Sequence, residues 1–161
     1  MQESIRSFLS RETRRFVQGV SGLSGIERIA LVGSLLTKKE NPKDTDLLVT
    51  VEVDVDIDEL AKLGRRLRGH CQGRGVGTDI FLCNTDGVYI GLTCSYVEGH
   101  PRMVCRGNQC HLGTKICDDF NEVRLNAKLS KEPSLELWPD IVKRIPIPVD
   151  VETYLLHETM L

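Results

Sequence analysis

No apolar run in this chain approaches the ~20 residues that a membrane-spanning helix needs, so a helical membrane protein is not expected. The first residues, MQESIRSFLSRETRRF, are amphipathic and lack an apolar signal core, so no secretory signal is expected either. An excess of one charge is missing as well. The 21 Lys and Arg against 23 Asp and Glu leave a net charge of −2, which argues against a generally basic nucleic-acid coat and leaves only local patches. There is no internal repeat and no low-complexity tract. These absences point to a cytoplasmic chain, whose six cysteines are then expected as thiols or metal ligands rather than disulfides.

What is present is ordinary for a globular protein: 40% hydrophobic and 27% charged residues. A chain of 161 residues fits one domain with room for a small appended element, and buries roughly two thirds of its unfolded surface. From Ser4 to Val17, apolar Ile5, Phe8, Leu9, Phe16 and Val17 recur at helical spacing, with Arg6, Arg11, Arg14 and Arg15 assigned mainly to solvent. Glycines at 19, 22 and 25 end that helix. Glu27 to Val32 reads as a first strand, Asp46 to Val53 as a second and Thr78 to Cys83 as a third. A helix capped by Asp58 and running to about Cys71 lies between the last two. Strand, helix, strand, helix, strand indicates an α/β (α+β) core.

Beyond Asn84 the pattern weakens. Val88 to Val97 and Arg102 to Cys105 read as strands, Phe120 to Leu129 as a short helix, and Leu135 to Arg144 as another anchored by Trp138. IPIPVD reads as extended linker that cannot be helix.

The chemistry concentrates in IALVGSLLTKKENPKDTDLLVTV, residues 29–51. Residues two apart on a strand project from one face, so Asp44 and Asp46 point the same way. Two adjacent carboxylates repel unless a cation lies between them, and hard cations such as Mg²⁺ favour oxygen ligands. Gly33 and Ser34 offer backbone N–H groups and a hydroxyl, the means of holding phosphate oxygens at a capped helix start. Lys38, Lys39 and Lys43 between them read as solvated. On its own the acidic pair is what commonly closes a loop before a strand; coupled to Gly33-Ser34 and to Asp79, which opens the apolar run TDIFL, it reads as catalytic.

GS, nine residues, then DTD and apolar LLV, with a third carboxylate at Asp79, resembles the DNA polymerase β-like nucleotidyltransferase superfamily in a minimal, stand-alone form. The likeness covers roughly Gly25 to Asn84. It implies a mixed sheet flanked by helices, with residues 1–84 as the nucleotidyltransferase core and residues 85–161 as a Cys-containing extension completing the same domain or forming a small β or metal-binding element. It implies attack by an acceptor hydroxyl on the α-phosphorus of a nucleoside triphosphate. Asp44 and Asp46 would ligate two Mg²⁺ or Mn²⁺ ions, Asp79 would complete the one activating the nucleophile, and Gly33 and Ser34 would hold the departing phosphates. The acceptor stays open among protein, small molecule and RNA, as does a homo-oligomer or partner protein to hold it. The rival reading is a regulatory module that binds nucleotide or metal on the same fold without turnover.

Other motifs carry weaker signals. GRGVG precedes a strand rather than a helix, so the dinucleotide fingerprint fails. DVDID lacks the glycine and the bidentate glutamate of a calcium loop. Arg65, Arg66 and Arg68 read as a solvated basic face. Cys94, Cys105, Cys110, His111 and Cys117 supply candidate ligands for a structural Zn²⁺, against the plainer reading of buried free thiols.

Overall fold

A computed structural model describes residues 3–93, 116–117 and 127–157. Helix α1 spans Ile5–Val20 and is opened by Ser4, whose side chain accepts from the Ser7 backbone N–H at 3.1 Å. Phe8, Leu9, Phe16, Val17 and Val20 form its buried stripe. Strand β1 (Ile26–Val32) turns through Gly33 into a single 3₁₀ turn, Ser34–Leu36, and a loop leads to β2 (Asp44–Val51). Helix α2 (Ile57–Gln72) crosses to β3 (Gly77–Cys83), and a tight turn gives β4 (Tyr89–Thr93). The remaining described elements are β5 (Ile116–Cys117), α3 (Ala127–Lys131), β6 (Leu135–Trp138), β7 (Val142–Lys143) and α4 (Val149–Val151), which continues as a π-helical segment over Glu152–His157.

The strands form one mixed sheet in the order β5-β4-β3-β2-β1-β6-β7. β2 pairs antiparallel with β1 and parallel with β3, so the centre of the sheet is a hairpin extended by an α2 crossover. Alternation divides its side chains cleanly. Ile29, Leu31, Leu47, Val49, Ile80 and Leu82 face α1, α2 and the C-terminal helical segment in the larger core. Ala30, Val32, Leu48, Phe81, Cys83 and Leu92 form a smaller cluster on the opposite face, against which Leu129 of α3 packs. The sheet is therefore flanked by helices on both faces, in an α+β arrangement. No helix among the described residues is long and apolar enough to cross a membrane.

Several expectations are corrected. α2 is capped by Asp56, which accepts from the Glu59 N–H at 3.2 Å, and not by Asp58, which lies in its first turn. Leu135 to Arg144 is the β6–β7 hairpin rather than a helix: Leu135 and Leu137 are buried while Glu136 and Trp138 are only partly so, the period of a strand. IPIPVD is extended only in part, because Val149 and Asp150 start α4 behind Pro148. Arg102 to Cys105, the candidate zinc ligands Cys94, Cys105, Cys110 and His111, and the side chain of Cys117 lie outside the described residues.

Candidate active site

β2 opens one residue-pair earlier than the apolar run suggests, at Asp44, so that DTD is strand rather than loop. Its alternation then sorts the three side chains. Thr45 points into the main core, fully buried, where its hydroxyl and that of Thr13 on α1 lie 2.6 Å apart. Asp44 and Asp46 consequently project from the other face. In the parallel β2–β3 pairing Asp46 stands level with Asp79, and Asp44 level with Gly77. On its other side Asp46 stands level with Val32, the last residue before Gly33. Asp79, two residues before Phe81, shares the face of the smaller cluster. All three carboxylates thus occupy one face at one end of the sheet.

The Thr13–Thr45 pair is the pin that holds this alternation against α1. Thr13→Val or Thr45→Val leaves a buried hydroxyl without its partner, so each single variant should lose about 1–3 kcal/mol of stability, while the double variant loses much less. Chemical denaturation of the four proteins reads this directly.

Glycine sets the approach on both sides. Gly33 adopts φ +85°, and a Cβ built there would lie 2.7 Å from Asp46 Oδ2. A Cβ on Gly77 would lie 2.7 Å from Asp44 Oδ1. Backbone thus runs against both carboxylates where any side chain would displace them. Ser34 follows Gly33 as the first residue of a turn only three residues long. A single 3₁₀ turn has too little length for a helix dipole, so any hold on an anion comes from local N–H groups and the Ser34 hydroxyl.

The electrostatics are those of crowded negative charge. Asp46 Oδ1 is buried and has no hydrogen-bond partner among the described residues. Burial above all, then the neighbouring Asp79 and Asp44, push the Asp46 carboxyl up to about 7, against a weaker opposing backbone hydrogen bond from Asp79. Arg68 of α2 donates to the Thr78 carbonyl at 3.1 Å and brings Nη2 within 3.7 Å of Asp79 Oδ1. Of the expected basic face on α2, only Arg66 is exposed; Arg65 and Arg68 are half-buried. Lys38, Lys39 and Lys43 are exposed.

Among the described residues no three His, Cys, Asp or Glu side chains form a ready metal-ligand group. The donor set nevertheless suits a hard divalent cation. It consists of carboxylate oxygens on one face, one of them buried without a partner among the described residues, and glycine backbone in close approach to two of the carboxylates. The free, buried thiols offer no nucleophile: burial pushes Cys71 up to about 12 and Cys83 up to about 11. A hollow of about 460 Å³ beside Thr37 and Tyr154, and one of about 260 Å³ between α1 and α2, do not include the three aspartates.

Two groups behind this face escaped the sequence reading. Arg6 is not a solvent arginine; its side chain is 11% exposed and pairs with Asp150 across 144 residues. Its signal was positional, since Arg6 lies in line with Leu9, Thr13 and Phe16 at three- and four-residue steps. Glu12, 4% exposed, is held by Arg11, Arg15 and His70 between α1 and α2.

Compared with known proteins, the chain matches no family model, no curated protein and no solved structure.

Proposed function

We propose that this protein is a metal-dependent nucleotidyltransferase that moves a nucleoside monophosphate from a triphosphate to an acceptor hydroxyl. The observation that carries the reading is the register of Asp46 against Asp79, with Asp44 two residues before on the same face and the Gly33 backbone against Asp46. Asp44, Asp46 and Asp79 would hold two Mg²⁺ or Mn²⁺ ions. When bound, such ions lower the acceptor hydroxyl's pKa and neutralise charge on the phosphate oxygens. Asp79 would complete the site of the ion that activates the acceptor hydroxyl, whose proton passes to solvent water. The acceptor oxygen then forms a bond to the α-phosphorus as the bond to the β-phosphate bridge breaks, and pyrophosphate departs along the Gly33-Ser34 turn. The backbone N–H groups of that turn and the Ser34 hydroxyl hold the leaving oxygens. Acceptors consistent with this chemistry are a protein hydroxyl, a small molecule or an RNA end. The setting it requires is cytoplasmic, where triphosphates and Mg²⁺ are plentiful, and the free thiols of Cys71 and Cys83 agree with one.

One observation favours a second reading. The Arg68 guanidinium beside Asp79 supplies a cation of the protein's own, as a binding module without turnover would keep. Titration calorimetry with a nucleoside triphosphate tests what both share. Binding should be at least about tenfold tighter in Mg²⁺ than in EDTA, because the triphosphate brings further oxygen ligands to the cation. Equal affinity in the two buffers would remove the metal site. Triphosphate labelled on the α-phosphorus, incubated with the protein and cell extract, then separates enzyme from module, since only the enzyme leaves label on an acceptor.

A further inference from the structure

The Gly33-Ser34 turn stands on a single arginine. Nη2 of Arg6 donates to the Leu35 carbonyl at 2.7 Å, and Nη1 donates to the Lys39 carbonyl at 2.7 Å. Nε lies 2.6 Å from Asp150 Oδ2 and Nη2 lies 3.2 Å from Asp150 Oδ1, so the carboxylate grips the guanidinium along its Nε–Nη2 edge. Asp150 is itself held, accepting from the Val151 backbone N–H at 2.8 Å. Three segments remote in sequence meet on one planar group: the first turn of α1, the loop that follows Ser34, and the start of α4.

The turn itself is thinly bonded. Leu36 N–H reaches the Gly33 carbonyl at 3.2 Å, and the Thr37 N–H and hydroxyl both reach the Ser34 carbonyl, at 3.0 and 2.7 Å. A 3₁₀ segment of three residues leaves its later carbonyls without intrahelical partners. The Leu35 carbonyl finds Arg6 instead. Short 3₁₀ geometry is weak by itself, so the placement of the Gly33 and Ser34 donors depends on what fixes Leu35 and Lys39.

We propose that Arg6, oriented by Asp150, is a positioning residue for phosphate binding: it sets the Gly33–Lys39 backbone from behind without touching the nucleotide. This rests on the reading of Gly33 and Ser34 as the phosphate-holding turn. The forked geometry matters, because four acceptor oxygens on two sides are matched by the fixed donors of a guanidinium and not by a single ammonium. The C-terminal helical segment acquires a role with it, as the anchor for Asp150.

Arg6→Lys keeps the charge beside Asp150 and loses the fork; Asp150→Asn keeps the volume and loses the grip. Both are measured against wild type by triphosphate affinity in Mg²⁺, by Mn²⁺ affinity without nucleotide, and by amide hydrogen exchange. The expected result is exchange at residues 34–39 accelerated about tenfold or more with β2 and β3 unchanged, triphosphate affinity weakened about tenfold, and Mn²⁺ affinity within about twofold of wild type. A merely structural pair would lower the melting temperature and leave triphosphate affinity of the folded variants unchanged, which overturns the proposal. If either variant fails to fold, exchange at residues 34–39 in wild type decides: protection no greater than that of exposed loop overturns it, and protection approaching β2 supports it. Wild type that binds no triphosphate sinks the phosphate reading and this inference together; wild type that binds it, with variants equal to it, sinks this inference alone.

Discussion

Asp46→Asn is expected to abolish nucleotide transfer, by a factor of about 10³ or more, and at the same time to raise the melting temperature of the metal-free protein. The two effects have one cause. Asp46 is half-buried, its Oδ1 is buried without a partner among the described residues, and it faces Asp44 and Asp79, so its carboxyl is pushed up to about 7. A carboxyl whose folded pKa lies above the unfolded value binds a proton more tightly when folded. Its contribution to stability is fully present below about pH 4 and is lost as pH rises towards 7. The loss should be on the order of 2–4 kcal/mol, about 5–10 °C in a chain of this length. The asparagine variant carries no charge and should lack that slope. Melts in EDTA between pH 4.5 and 8 test the sign: wild type should weaken with rising pH relative to the variant. Added Mg²⁺ should then stabilise wild type and leave the variant where it was. A variant that melts lower than wild type at pH 8 in EDTA while retaining transfer would give Asp46 a structural role and remove the site.

This arrangement was legible in the sequence to the extent that it is local. The same-face placement of Asp44 and Asp46 follows from strand alternation alone, and TDIFL marks Asp79 as a strand opening because its neighbours are apolar. That Asp79 stands level with Asp46, rather than one residue off on the other face, is a property of register, which two separated segments do not reveal. The α2 cap is ambiguous in the sequence for a related reason. DVDID offers three aspartates at two-residue steps, each a competent cap, and the choice of Asp56 depends on where α2 must begin to reach the sheet. At Leu135–Arg144, apolar residues at 135, 137, 138, 141 and 142 satisfy either period. The pairing of β6 with β1, which buries Leu135 and Leu137, decides between them. Arg6 reads as a solvent residue in the sequence because its partner, Asp150, stands 144 residues away. Long-range polar pairs leave no trace in local periodicity.

Gly33→Ala should be the most damaging change that removes no functional group. Two penalties act at once, and they can be separated. The backbone at φ +85° and ψ −160° lies where residues with a Cβ are strained, at about 1–3 kcal/mol. The new Cβ would also meet Asp46 Oδ2 at 2.7 Å, a distance at which one group must move. If Gly33 flips to relieve the strain, its N–H and that of Ser34 turn away from where a phosphate would lie. If Asp46 moves instead, it leaves its register beside Asp79. Either relaxation damages the site, so triphosphate affinity in Mg²⁺ should fall by about tenfold or more, the worth of a charge-assisted hydrogen bond. A double-mutant cycle with Asp46→Ala apportions the stability loss. Removing the Asp46 carboxylate abolishes the contact and leaves the strain, so Gly33→Ala should cost less in the Asp46→Ala background than in wild type, by about 1 kcal/mol. Equal costs in both backgrounds would mean that the carboxylate and the glycine do not press on each other in solution. The close approach of the turn to Asp46, on which the joining of phosphate cradle to metal ligands depends, would then be lost.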